Sequence, residues 1–305
     1  MFQTRAEYDT LKSYFAERVG IIVRAAEARQ AVSKPVRILD IATGGNGFNP
    51  LFLKELSIKG IDYEFVISDI TVEISTRLGD TDRNFRFVSG GGFMRGYHNI
   101  EKSLPESEMR RIIPVFADAR NLKEELQDVY VNRGNGPEPV PLEKVLANPD
   151  YSFILNGYDG TKRKISFENE SFDIVTGVIP FGSTGCHIQE EVVNETVRVL
   201  EKGGSLIVEE DMITKLNYLE RVSLLARKIL ENPAKAPELI KWAIRATQHA
   251  KKGYLGDLEA RLNKVLSFQE AIEYTDTYKN REEDISQVIQ FGDQRRNVVL
   301  VYRKE

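Results

Sequence analysis

The sequence predicts an α/β protein built on a doubly wound, mostly parallel sheet of seven strands. Three observations predict it. Apolar runs bounded by turn residues recur at 36–41, 63–70, 112–117 and 172–175, the pattern of strands buried on both faces. Stretches with helical spacing of apolar residues alternate with them. The first strand, Val36-Arg37-Ile38-Leu39-Asp40-Ile41, runs straight into Ala42-Thr43-Gly44-Gly45-Asn46-Gly47, and Asn49 and Pro50 then open a helix.

Taken in order, residues 4–32 read as an amphipathic helix or a broken pair. Thr4 and Glu7 form a capping box, and Tyr8, Leu11, Phe15, Val19, Ile22 and Ala26 keep helical spacing up to the stop at Ser33-Lys34-Pro35. The helix is expected to pack on the sheet, a reading preferred over the alternative in which Tyr8 or Tyr14 also covers a ligand. In the glycine loop that follows, small residues let the backbone approach a ligand, and Asn46 tolerates the left-handed conformation a tight turn needs. The helix after Pro50 carries Leu51, Phe52, Leu53 and Leu56 and stops at Gly60. Strand, glycine loop and helix N-terminus make a nucleotide-type site. Dinucleotide sites carry their glycines directly after the strand without an acid at its end, so Asp40 sets this loop apart and suits a ligand with an ammonium group.

The second strand, 63–70, ends at Asp69, where a carboxylate either takes both hydroxyls of a ribose or caps a helix beginning near Thr71. Gly90-Gly91-Gly92 lies between aromatic residues, and no Lys-Ser/Thr pair follows it, so a flexible loop is expected there. The third strand ends in Asp118-Ala119. From 120 to 165 lies an insertion: a Gly/Pro-rich loop at 134–141, then a β-hairpin signalled by Asn156-Gly157 and Asp159-Gly160. It reads as a lid or a dimer contact, so a homodimer is compatible with the sequence. Residues 212–266 read as a helical cap, Ser267 and Glu270 as the capping box of another helix, and residues 285–291 with 297–302 as a closing antiparallel hairpin.

Five segments carry a resemblance: Leu39-Asp40-Ile41-Ala42-Thr43-Gly44-Gly45-Asn46, the strand ending in Asp69, Asp118-Ala119, the run Ile165-Ser166-Phe167-Glu168-Asn169-Glu170-Ser171-Phe172-Asp173-Ile174-Val175, and Arg198-Val199-Leu200-Glu201-Lys202-Gly203-Gly204. In this order they resemble the motifs of class I, Rossmann-like methyltransferases, with Asn46 in place of the last glycine of the first motif. The resemblance implies S-adenosylmethionine as cofactor. It places Asp40, Ala42, Gly44, Gly45 and Asn46 around the methionine end, Asp69 and Ile70 at the ribose, Asp118 and Ala119 at the adenine, and Gly177 and Val178 beside the ligand at the end of the fourth strand. It implies a helical segment over 1–34 and a methyltransferase domain over 35–305. Val178-Ile179-Pro180-Phe181 lacks the Asn or Asp that amino-methylating DNA enzymes carry there.

Methyl transfer from a sulfonium is an in-line displacement that asks the protein for alignment and dryness, and demands neither a fixed nucleophile nor a metal. An oxygen or protonated-amine acceptor needs a general base, and His187, at the opening of the helix after the fourth strand, is the candidate. His98 and His249 default to structural or solvent positions. Glu209, Glu210 and Asp211, expected after the fifth strand, supply a base, bind a cation or cap a helix. No Asp-Asp-Asn metal set can be assembled.

The 42 basic against 46 acidic residues argue against a broad nucleic-acid or anionic-membrane footprint. No apolar run reaches the ~18 residues of a membrane span, and the acidic start is unlike a signal peptide. The single cysteine, Cys186, suits a reducing cytoplasm. The expectation is a cytoplasmic methyltransferase with a small-molecule acceptor. An RNA or protein methyltransferase and a non-catalytic S-adenosylmethionine-binding protein stand as alternatives, and a nicotinamide oxidoreductase is disfavoured by Asp40 and the closing hairpin.

Overall fold

The computed structural model describes residues 5–32, 34–41, 49–69, 71–76, 88–91, 96–97, 100–123, 126, 128–132, 137–147, 167–178, 190–212, 226, 229–230, 233–237, 240, 254–277 and 294–305. The elements run α1 (Arg5–Gln30), β1 (Val36–Ile41), α2 (Asn49–Ile58), β2 (Tyr63–Asp69), β3 (Thr71–Thr76), β4 (Val88–Gly91), α3 (Glu106–Met109), β5 (Ile112–Phe116), β6 (Asp128–Asn132), β7 (Pro137–Pro141), α4 (Leu142–Leu146), β8 (Phe172–Val178), α5 (Glu190–Val199), β9 (Leu200–Met212), α6 (Tyr254–Leu262), β10 (Ser267–Thr277) and β11 (Gln294–Arg303).

Seven strands form one sheet in the order β10-β11-β9-β8-β1-β2-β5. β1 pairs in parallel with β2 and β8, and β2 pairs in parallel with β5. β11 runs the other way. Lys304, just past its end, accepts from Gly203 N at 2.7 Å and donates to Gly204 O at 3.0 Å, near the start of β9. A parallel core closed by an antiparallel C-terminal strand is the fold of class I methyltransferases, as the resemblance implies.

The strands form where the sequence is apolar on both faces. Ile38, Leu39, Ile41, Phe65, Val66, Ile67, Ile174 and Val175 are all fully buried, each contributing about 1.5–3 kcal/mol of transfer free energy. α2 buries Phe52, Leu53 and Leu56, with Phe52 edge-on to Phe65 at 5.3 Å. It ends where Gly60 turns to φ 66° and Ile61 N reaches back to Leu56 O. α1 packs on α2, β1 and β8 through its buried stripe of Val19, Ile22, Val23 and Ala26.

Four expectations are corrected. Residues 71–76 form a strand, not a helix: Thr71, Val72, Ile74 and Thr76 are β-branched, which favours extended backbone over helix. Val88–Gly91, within the expected flexible loop, pairs antiparallel with β3. Pro137–Pro141, expected as loop, pairs antiparallel with β6. The strand accommodates three prolines because they alternate, so each missing N–H falls on the side away from β6, while Glu138 and Val140 face the ladder. Ser267 opens strand β10 rather than a helix; Phe268, Ile272 and Tyr274 recur at even spacing, a period-two pattern that overrides the capping box. β10 is thus the neighbour of β11, and residues 285–291 lie outside the described residues, as does the hairpin expected at 151–167. β3, β4, β6 and β7 make a second sheet in the order β4-β3-β6-β7. It grows from the carboxyl ends of β2 and β5.

The chain divides into two compact units, Met1–Val178 with Glu190–Ile207 and Arg303–Glu305, and Ile179–Gln189 with Val208–Tyr302. In the second, Leu258, Leu262 and Leu266 are buried and Phe268 meets Tyr302 edge-on at 5.5 Å. In the first, Asp173 ties three elements at the amino end of the sheet. Its Oδ1 accepts from Arg29 Nε at 2.7 Å and its Oδ2 from the Arg37 backbone at 2.9 Å. Arg29 also reaches Glu201 and the Lys202 carbonyl. Gly204 sits against this knot: a Cβ there would lie 2.7 Å from Asp173 O and 2.8 Å from Glu201 O, both backbone. In urea unfolding, Gly204→Ala is expected to destabilise the protein by about 1–3 kcal/mol through overpacking. Gly60→Ala, which meets nothing within 4 Å, is expected to cost only the left-handed conformation, about 1 kcal/mol. Equal losses at the two glycines would contradict this.

Candidate functional site

The carboxyl edge of the sheet carries the residues singled out in the sequence, and strand register sets their spacing. Asp40 stands level with Ile67 of β2 and Thr176 of β8. Asp69 ends β2 two residues further along and stands level with Phe116 of β5. Asp118 follows two residues beyond Phe116. With strands about 4.8 Å apart and about 3.3 Å of rise per residue, the three acids form a staircase across three adjacent strands.

Asp40 is buried, 1% exposed, and Asn49 at the start of α2 donates to its Oδ2 from Nδ2 at 2.7 Å. Ser68 Oγ donates to its carbonyl at 3.1 Å. The pair Asp40–Asn49 thus ties the end of β1 to the start of α2, across the glycine loop. Beside it, Thr176 is 1% exposed and its Oγ1 has no hydrogen-bond partner among the described residues. Gly177 is buried, and its carbonyl is 3.5 Å from Nη2 of Arg18, itself only 2% exposed. Asp69 is half-buried at the strand end, and its carbonyl accepts from Ala117 N at 3.3 Å, which joins the ends of β2 and β5.

Asp118 opens a turn closed by Asn121 N donating to its carbonyl at 2.9 Å. Arg120 folds back on it, with Nε 2.9 Å from each carboxylate oxygen and the backbone N–H 2.9 Å from Oδ1. Burial pushes the Asp118 carboxyl up, but the hydrogen bonds and charge of Arg120 outweigh it and hold it below its ordinary value. The turn is anchored from α5: Leu122 N donates to Glu195 Oε2 at 2.9 Å, and Glu195 is gripped by Arg198 through Nε at 2.8 Å and Nη2 at 2.7 Å. Arg198 also donates to Phe167 O at 2.6 Å. One Glu–Arg pair therefore fixes both the Asp118 turn and the approach to β8.

The structure brings together Asp40, Asp69, Asp118, Ala119, Gly177 and the backbone of Val178. Ala42, Gly44, Gly45, Asn46, Ile70 and His187 lie outside the described residues, as do His98 and His249. Glu209, Glu210 and Asp211 do not follow the fifth strand of the core but belong to it, because β9 continues to Met212; Glu209 is buried. Sequence reasoning missed Arg18, Thr176, Arg120 and Glu195. Only Arg18 left a signal: with Phe15, Val19 and Ile22 it falls on the apolar stripe, where an arginine is out of place unless it is bonded.

The edge offers acceptors to its ligand: two carboxylates at strand ends, a buried carboxylate, and an unsatisfied hydroxyl beside it. Such a set suits a ligand whose donors are spread along its length, an ammonium, vicinal hydroxyls and an aromatic amine. S-adenosylmethionine carries all three. Among the described residues, no three His, Cys, Asp or Glu side chains are grouped to hold a metal, and no helix is long and apolar enough to cross a membrane.

No protein-family model matches the chain, and no curated protein matches it by sequence. Solved structures do. An S-adenosylmethionine-dependent methyltransferase from Methanosarcina mazei shares 13% identity over 90% of this chain and 94% of its own, with a TM-score of 0.43. An arsenic(III) S-adenosylmethionine methyltransferase from Chlamydomonas reinhardtii shares 13% over 92% of this chain and 73% of its own, TM-score 0.40. The [4+2]-cyclase SpnF shares 9% over 93% and 80%, TM-score 0.38. Likeness at this level says nothing about an acceptor.

The Glu195 carboxyl lies below its ordinary value of 4.5, chiefly because Arg198 bonds its charged form. A depressed folded value contributes stability above pH 4.5 that is lost as the pH falls through the folded value. Glu195→Gln is therefore expected to lower stability by about 1–3 kcal/mol at pH 7, and the gap to the wild type should narrow in thermal unfolding at pH 3. An unchanged gap would remove Glu195 from the acid-sensitive set.

Proposed function

We propose that the protein is an S-adenosylmethionine-dependent methyltransferase acting on a small-molecule acceptor. The observation that carries this reading is the staircase of Asp40, Asp69 and Asp118 along the carboxyl edge of β1, β2 and β5. A nicotinamide cofactor would use an acid at Asp69 as well, but not one buried at the end of the first strand, nor the antiparallel closing strand.

When bound, S-adenosylmethionine supplies a methyl group on a sulfonium, reactive toward a nucleophile in line with the breaking bond. The chain's residues then have to bind, orient and dry. Asp40, pinned by Asn49, holds the ammonium; Thr176, level with Asp40 on β8, shares that contact through its hydroxyl. Asp69 takes the ribose hydroxyls and Asp118 the adenine amino group. His187 is the base in this reading, removing the proton from an oxygen or ammonium acceptor. The mildly acidic composition favours a small-molecule acceptor over nucleic acid.

Calorimetric titration with S-adenosylmethionine and, separately, NADH tests the reading. Selective binding of S-adenosylmethionine is expected, weakened about tenfold to a hundredfold in Asp69→Ala by the loss of charged hydrogen bonds to the ribose. No binding, or a preference for NADH, would sink it.

A further inference from the structure

Glu195 and Arg198 stand three residues apart on α5, so helical geometry sets them side by side. An ion pair of that spacing on a helix surface usually engages only itself. This one is largely buried, each side chain 14% exposed, and it reaches two distant segments of backbone. Glu195 Oε2 accepts from Leu122 N at 2.9 Å while Arg198 holds the carboxylate from Nε and Nη2. Arg198 Nη1 then donates to Phe167 O at 2.6 Å and to Asn169 Oδ1 at 3.2 Å. Leu122 lies near the start of the 120–165 insertion and Phe167 just past its end, so both feet of the insertion rest on one ion pair.

From this geometry we infer that Glu195 is a positioning residue for the ligand edge: with Arg198 it clips the feet of the insertion together and thereby fixes the direction in which the turn from Asp118 to Leu122 leaves β5. The inference rests on the methyltransferase reading, in which that turn meets the cofactor. The turn's own bond, Asn121 N to Asp118 O at 2.9 Å, sets its shape and not its direction. Direction comes from its two ends, where Ala117 N bonds Asp69 O at 3.3 Å and Leu122 N bonds Glu195. Leu122 is 3% exposed. Without the carboxylate its buried N–H loses its acceptor, and the turn must shift to find water. A foot set loose also returns conformational freedom to the insertion.

The test is calorimetric titration of the full chain with S-adenosylhomocysteine, together with hydrogen exchange at the Leu122 amide. Glu195→Ala is expected to weaken binding about tenfold and to speed exchange at Leu122, while the amides of Ile38 and Val66 keep their protection. Glu195→Gln, which keeps an oxygen for Leu122 N, should bind within about threefold of the wild type although it too loses stability. Should Glu195→Ala not fold, Arg198→Lys takes its place: without the fork on the carboxylate, Leu122 exchange should rise and binding fall by at least about threefold. Unchanged affinity with Leu122 exposed, or equal losses of affinity in the Ala and Gln variants, would overturn the inference and leave the methyltransferase reading intact. Failure of the wild type to bind S-adenosylhomocysteine would overturn both.

Discussion

The buried carboxylate of Asp173 is the constraint on which the first unit depends. It sits at the amino end of β8, 2% exposed, and its two oxygens accept from α1 and from the backbone of β1. A buried charge of this kind is tolerable only when fully engaged, and removing a partner typically costs about 3–5 kcal/mol. Arg29 meets Asp173 at one end of β8, and Arg18 approaches Gly177 at the other. α1 consequently runs antiparallel along β8, and its earlier turns extend past the strand ends towards the ligand edge. One ion pair at the inert end of the sheet thus aims a helix at its working end. Glu201 joins the same arginine, and burial, the largest influence on it, pushes its carboxyl up, so its attachment to the knot is the softer one.

The site follows from register rather than from side-chain networks alone. Parallel pairing sets Asp40 against Ile67 and Asp69 against Phe116. A one-residue slip of β2 would send Asp69 to the opposite face. The packing that prevents such slippage lies in fully buried residues such as Val36, Ile38, Phe65 and Val66. The hydrophobic core and the acidic edge are therefore one specification read at two positions along the same strands.

Much of this was legible in the sequence. Strands β1, β2, β5 and β8 are apolar runs of ordinary strand length, and the helix from Asn49 ends at its glycine stop. Their signals are local, so a single sequence suffices. The failures have a common cause. At Thr71–Thr76, Pro137–Pro141 and Ser267–Thr277 the residues of the segment itself pointed one way, and pairing with another strand decided otherwise. A capping box at Ser267 is worth about 1 kcal/mol, less than a ladder of hydrogen bonds to a neighbouring strand. The site divides in the same way: Asp40, Asp69 and Asp118 show themselves as acids at strand ends, whereas Glu195 lies 73 residues from its partner Leu122 and no pattern in the chain joins them.

Arg120 shows why the acids alone underdescribe the edge. It lies two residues after Asp118, close enough that a sequence reading sees an acid and a base and expects a solvated pair of small consequence. The turn changes that, because it points backbone and side-chain donors at both oxygens of the same carboxylate. How that carboxylate is held is a property of the folded turn, which Leu122 anchors to Glu195 across 73 residues of chain.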